Sequence, residues 1–314
     1  MGKEKGTDDR CLLDDWKEGC VMKPKSSRLT GALLALAGAT FWGTSGTAQA
    51  LGPPEAVPMT VAALRLLLGG FLLILVALIR RTLTWKVSWP RIPMLASVLG
   101  MASFQPLFFT GVRLTGVAVG TLVIMGSAPV ITGLLSYLFL GEKPENRWYI
   151  STMLAIVGCM LLVVPAGGET TVDPFGVFLS FLAAISFSVY IMGSKALFQH
   201  HPPEAVAAAV FAGSALVLLP VLFWQPIDWV FQPSGFLTIL YLAVVSTVVG
   251  YLLFSFGLNR LPTSTSMTLA LAEPLTAALL GFFLLGEVIT RINFAGVILL
   301  FSSLVMLSVK PKTS

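Results

Sequence analysis

The sequence predicts an all-α integral membrane protein: ten transmembrane helices arranged as two inverted five-helix repeats. Three observations carry that prediction. First, the 314 residues are 56% hydrophobic and only 11% charged, with a mean hydropathy of +0.87. A soluble domain carries about 25% charged residues, so a chain this apolar is suited to a bilayer rather than to water. Second, the chain divides into ten apolar runs, each close to the roughly 20 residues that a spanning helix needs. Third, a shift of 145 residues lays Gly31 on Gly176, Pro58 on Pro203, Pro129 on Pro274, Gly141 on Gly286 and Glu142 on Glu287.

The runs follow in order. Residues 29–50 hold the small, polar stretch FWGTSGT, and 58–80 open on Pro58 and enclose Arg65. Residues 92–112 contain Gln105, and 116–140 contain Pro129 and end at Gly141. Residues 148–166 complete the first set of five. The second set is 174–197, with Tyr190 inside and Lys195 near its end, then 204–224, 235–258, 263–286 and 291–309. Tyr251 lies in the eighth run, and Glu273 and Pro274 in the ninth. The connections GPPEAVP, GEKPENR, HHPPE and WQPIDWVFQPS are short and rich in turn residues. Runs of this length exclude a transmembrane β-barrel, whose strands are short and alternating.

Three segments result: a tail at 1–28, a first repeat at 29–166 and a second at 174–309. The tail mixes both charges and lacks the apolar core of a signal peptide, which suits a mobile cytosolic segment. The repeats align most clearly at PVITGLLSYLFLGE and PLTAALLGFFLLGE, identical at six of fourteen positions. Between the third and eighth runs the register slips by one residue, so that Phe108 and Gly111 meet Phe254 and Gly257. An odd number of spans per repeat turns the second copy upside down, which is the architecture of secondary transporters.

Positive charge orients the bundle. With the N-terminus inside, 17 of the 20 Lys and Arg fall on inside segments, only Arg113 and Arg291 fall outside, and Arg65 lies within a helix. Without the seven charges of the tail the ratio is still 10 to 2. Both termini are therefore expected in the cytoplasm, with the chain in the cell (inner) membrane. The excess of 20 − 15 = +5 charges reflects this bias and not nucleic-acid binding. Cys11, Cys20 and Cys159 form no metal spacing and no disulfide framework.

FWGTSGT, VAALRLLLGG, APVITGLLSYLFLGEKP and AEPLTAALLGFFLLGE, in the first, second, fourth and ninth runs, resemble the EamA-domain members of the drug/metabolite transporter superfamily. The resemblance spans about Thr30 to Val309, two EamA repeats. It implies ten helices, a central cavity between the repeats and a frequent role in export of amino acids or other small metabolites.

Ionisable groups at bilayer depth cost roughly 2.5–3.5 kcal/mol on insertion scales and are candidate functional sites. Glu273 lies about 15 Å into the ninth span, near the midplane. Desolvation there disfavours its charged form, so proton coupling or cation binding is open to it, as is a neutral acid tying two helices. Pro274 removes a backbone donor beside it, and Pro129 does the same in the fourth span. Two matched helix breaks would point to a midplane site. Arg65 reads as a structural charge near the outer end of its span, and Lys195 as a snorkelling cation. Trp42, Gln105, Tyr190 and Tyr251 are the amphipathic candidates for lining a cavity, with Ser246 and Thr247 beside the last. Gly141 and Gly286 suit helix termination, and Glu142 and Glu287 read as boundary residues.

These features favour a secondary exporter of amino acids or related metabolites, with a proton as candidate coupling ion. An exporter of cationic drugs or amines is the alternative, since Glu273 and the aromatics suit a cation. A passive channel fits less well, because channels form rings of like residues from several subunits. A membrane enzyme has no H-E-x-x-H, G-x-S-x-G or phosphate-binding glycine loop to support it. No cofactor or metal is implied. The expected partners are a small molecule, the bilayer and protons, with no nucleic acid, and the chain suits a monomer or homodimer. The orientation is testable in intact cells: a cysteine at Thr170 should react with an impermeant maleimide from outside, and one at Lys86 only after permeabilisation. The reverse pattern would overturn the topology.

Overall fold

The computed structural model describes residues 28–83, 87–163, 173–286 and 290–309. Residues 1–27 of the tail, the labelling positions Thr170 and Lys86, and Glu287 lie outside the described residues, while Arg28 already belongs to the first helix. The described chain is helical without strands. Its elements are α1 (Arg28–Ala50), α2 (Pro58–Ile79), α3 (Arg91–Thr115), α4 (Val117–Leu140), α5 (Asn146–Val163), α6 (Pro174–Leu197), α7 (Pro203–Trp224), α8 (Pro233–Leu258), α9 (Thr263–Leu285) and α10 (Arg291–Ser308).

Among the described residues, eight of these helices are long and apolar enough to cross a membrane. The sequence predicted ten. The two outside the set are α1, whose 23 residues are diluted by small and hydroxyl side chains, and α5, whose apolar part is shorter. Leu33, Phe71, Leu134, Phe178, Phe236 and Phe301 are exposed on the bundle surface, as expected of side chains that meet lipid.

Helix ends follow the local signals. Pro58, Pro174, Pro203 and Pro233 each occupy a first helical turn, where the missing N–H costs nothing. Asp173 caps α6 by accepting from the Phe175 amide at 2.8 Å. Gly141 and Gly286 end α4 and α9 in the left-handed region, at φ 66° and 72°, as their positions suggested.

The core is made by close helix crossings. α1 packs on α8, α3 on α6, α2 on α7 and α5 on α10. Exchanging each helix for the one five places on converts the first pairing into the second and leaves the last two unchanged. Glycines set the crossing distances. A Cβ at Gly38 would stand 2.6 Å from the Gly250 carbonyl oxygen, and one at Gly257 would stand 2.6 Å from the Ala35 nitrogen. On the equivalent seam, a Cβ at Gly100 would stand 2.7 Å from the Ser186 carbonyl oxygen. Small residues let backbones approach where apolar burial gives no driving force. Buried hydroxyls bond their own helices: Ser97 to Pro93 O, Ser188 to Ala184 O and Ser214 to Val210 O, each at 2.8 Å.

The two sets of five differ in α8. Leu242–Val249 is π-helical, with Thr247 Oγ1 donating to Leu242 O at 2.9 Å. The wider π turn takes up an extra residue, which accounts for the one-residue slip between the third and eighth runs. The sequence showed the slip but not its geometry.

The seam argument predicts that Gly38→Ala lowers unfolding stability in detergent by about 1–3 kcal/mol, the usual cost of overpacking. Gly46→Ala, where a Cβ meets nothing within 4 Å, should be neutral or stabilising. Equal effects in thermal unfolding would contradict this account.

Candidate functional site

The ninth helix is interrupted where its sequence suggested. Thr263–Leu269 and Ala272–Leu285 are separate helical pieces, and Glu273 lies in the first turn of the second. The Glu273 amide donates to Ala270 O at 3.0 Å, a tightened turn that occupies the carbonyl Pro274 cannot reach. The matched break expected at Pro129 is absent: α4 runs without interruption through it. One lost hydrogen bond is tolerated when neighbours hold the backbone. Here Thr132 Oγ1 of α4 donates to Ser188 Oγ of α6 at 2.9 Å, and Ser188 Oγ, whose proton goes to Ala184 O at 2.8 Å, also lies 3.3 Å from Ala128 O. The position equivalent to Ser188 on α1 is Gly43, which has no side chain to offer. Its backbone instead lies directly against the Glu273 carbonyl oxygen.

Aromatic side chains from α1, α6, α7 and α8 meet at the centre. The Trp42 ring lies 4.5 Å from Tyr251 and 4.6 Å from Phe254, and faces Phe187 edge-on at 6.2 Å. Tyr190 joins Phe187 at 5.6 Å and Tyr251 at 6.3 Å, and Phe211 closes on Tyr251 at 4.5 Å. Trp42, Tyr190 and Tyr251 are buried. The candidates read separately from the sequence are therefore one wall.

Charge enters this wall from α2 and α9. Arg65, the Tyr251 hydroxyl and the Glu273 carboxyl lie within electrostatic range of one another. Arg65 and Glu273 each keep partial accessibility, although they lie among buried residues. Arg65, expected as a structural charge that snorkels or pairs with a carboxylate, lies within electrostatic range of Glu273, with no direct ion pair between them among the described residues. No periodicity could have shown this, because the two residues are 208 positions apart (273 − 65).

Several donors in this region have no partner. Trp42 Nε1, Arg65 Nε and Gln105 Nε2 are all buried without a hydrogen bond. Gln105 follows Phe104, whose ring meets Phe187 at 4.9 Å. With the slipped register, Gln105 is the counterpart of Tyr251, so the two flank the centre from equivalent helices. Buried unpaired donors cost about 1–3 kcal/mol each, and three of them suit a ligand rich in acceptors.

Other candidates fall away from the centre. His201 stacks on Trp89 at 3.7 Å in the α6–α7 connection, and burial pushes its imidazole below the usual histidine pKa. A groove of about 420 Å³ between α9 and α10, lined by Phe282, Phe283 and Phe294 together with Thr290 and Arg291, faces outward. No group of three or more metal-ligating side chains occurs among the described residues.

The EamA-like transporter family matches the chain twice, over residues 29–164 and 174–309. The chain belongs to that family. Its EamA-like relatives include the uncharacterized transporter YwfM of Bacillus subtilis, 43% identical over 90% of this chain and 94% of that protein. The threonine/homoserine exporter RhtA of Escherichia coli K12 is 30% identical over 83% of this chain and 85% of that protein. One solved structure superposes with a TM-score of 0.78 at 20% identity, covering 89% of this chain and 96% of that one, and shows the same fold. An EamA-like transporter with apolar helices of this kind is a multi-pass membrane protein. Its relatives are named as transporters, which points away from catalysis.

The unpaired amide of Gln105 gives a two-sided test. Gln105→Met keeps the volume and removes the orphan donor, so stability should rise by about 1 kcal/mol or more. Substrate binding should weaken. Unchanged binding would remove Gln105 from the site.

Proposed function

We propose that the protein is a secondary transporter that exports small zwitterionic metabolites of the amino-acid kind by alternating access. The carrying observation is the partly accessible Arg65–Tyr251–Glu273 cluster on an aromatic wall with unpaired donors. A carboxylate would be received by Arg65 and the unpaired N–H groups, and an ammonium by Glu273 and the ring faces. The name of the RhtA relative, an exporter of threonine and homoserine, supports the same substrate class.

The coupling follows from Glu273. A carboxyl that holds either a proton or the substrate's ammonium, but not both, exchanges one for the other. Proton entry from outside would displace the substrate, which gives proton-driven export. The architecture for this is ten helices in two inverted repeats, 29–166 and 174–309, with both termini cytoplasmic. The exchange symmetry of the helix pairings supports it. Export of purely cationic drugs is the weaker reading, because Arg65 beside Glu273 repels a lone cation.

Proteoliposomes screened over amino acids and amines, with and without a pH gradient, test the proposal. Glu273→Gln should abolish pH-driven accumulation while the protein remains folded. Arg65→Gln should weaken transport of amino acids tenfold or more, since a charged hydrogen bond is worth about 1.5–3 kcal/mol. The decarboxylated amine should be spared. Accumulation against a gradient by the Glu273→Gln protein would refute the coupling role.

A further inference from the structure

One end of the bundle is tied by polar contacts, and α4 and α9 are more accessible toward the other. Arg28 of α1 pairs with Glu145 at 2.7 Å, and Arg147 donates to Met306 O and Val309 O at 2.8 and 3.1 Å. The ends of α1, α4, α5 and α10 therefore share one face, called here the terminal face. α9 starts on that face. Every residue from Thr263 to Ala272 is buried, whereas from Glu273 to Leu280 only Leu275 is. The first half of α9 packs on α4, while the second half packs mainly on α1. On α4, Thr121 to Ser127 are all partly accessible except Ile124. A helix accessible around nearly its whole circumference has lipid on one side and open space on the other. The open space therefore lies between the distal halves of α4 and α9.

Polar contacts hold the closed end. The Thr263 amide, at the start of α9, donates to Glu142 Oε2 at 2.6 Å. Glu142 comes from just beyond α4, so the bond joins the first set of five helices to the second. Lys195, at the end of α6, donates to Leu258 O at 2.7 Å and Leu261 O at 2.8 Å. This corrects its expected outward snorkelling: the ammonium turns inward onto the carbonyls between α8 and α9. The Glu142 carboxylate acts electrostatically on the same ammonium. Trp148 Nε1 reaches Ser264 O and Thr268 Oγ1, each at 3.0 Å, and Thr152 meets Thr268 at 2.9 Å. The shift of 145 residues sets Ala50 opposite Lys195, so the distal end of α1 has no ammonium at that place.

We infer that Glu142 and Lys195 form the latch of the terminal-face gate, joining the first repeat to the start of α9 and holding that end closed until substrate is loaded from it. Glu142 combines a charge-assisted bond with the positive end of the α9 helix, an interaction stronger than a neutral hydrogen bond. Rocking the first half of α9 off α4 breaks that bond. In the sequence Glu287 repeats Glu142 but Lys195 has no such repeat, so only the terminal-face latch has both members, which biases the empty protein toward the distally open form. Glu142, which read as a boundary residue, is thus a positioning residue for transport. The inference rests on the alternating-access reading above, but its test needs no substrate, so the two can fail separately.

The test uses full-length protein in detergent with Cys11, Cys20 and Cys159 replaced. One reporter cysteine stands at Ser266, buried in the first half of α9, and another at Gly46, exposed on the distal part of α1. In the parent, maleimide should modify Gly46→Cys quickly and Ser266→Cys slowly. Glu142→Gln should speed labelling at Ser266→Cys by about tenfold, the effect of a population shift of ~1.4 kcal/mol, and slow it at Gly46→Cys. Lys195→Gln, which breaks the latch from its other side, should act in the same direction. Glu145→Gln, which removes only the exposed bond to Arg28, should change neither rate. Three outcomes would overturn the latch: no change with either latch variant, faster labelling at both reporters as in general loosening, or an equal response to Glu145→Gln.

Discussion

Close backbone contact at two glycine-lined seams is the constraint on which the rest of this structure depends. In a bilayer, helices gain little by burying apolar surface against one another, because lipid is as apolar as leucine. Gly38, Gly250 and Gly257 on one seam, and Gly100, Gly111 and Gly176 on the other, let α1 meet α8 and α3 meet α6 at van der Waals range. With the backbones that close, aromatic rings from four helices are forced to a common centre. A single methyl group on a seam would push apart the helices that carry Trp42 and Tyr251.

On this nearly symmetric frame, departures from symmetry do the chemistry. Pro129 and Pro274 are equivalent, yet only the second lies at a helix interruption. The difference traces to their partners on the opposing helices. Ser188 of α6 accepts from Thr132 of α4, while Gly43 brings bare backbone against the Glu273 carbonyl of α9. The interruption places Glu273 in the first turn of a half-helix, beside a proline that has no N–H to offer. Arg65, whose equivalent is Val210, supplies the opposite charge. A π-helical stretch in α8, beside Tyr251, supplies the third asymmetry.

The ends of the helices show a different economy. Charged side chains that would be routine at a membrane surface are turned inward at the terminal face, onto helix ends with unpaired carbonyls or amides. Lys195, Arg147 and Glu142 all act this way. Each satisfies groups that α-helices leave open in their first or last turns. Such contacts are discrete and can break together, unlike the continuous packing of the seams, so they suit an end that must open.

Much of the fold was legible in the chain itself. Composition and run length determined an all-helical membrane protein, the shift of 145 residues revealed the duplication, and the Glu273–Pro274 pair marked the interruption of α9. These are local or periodic signals, and periodicity survives in sequence because neighbouring residues share one helix. The continuity of α4 through Pro129, the inward turn of Lys195 and the identity of the acid within electrostatic range of Arg65 were decided only by tertiary structure. Each depends on which residue of a distant helix stands opposite, and no spacing along the chain records that. Ser188 faces Ala128, Leu258 and Leu261 face Lys195, and Tyr251 stands by Arg65 because glycine seams fix how the helices cross.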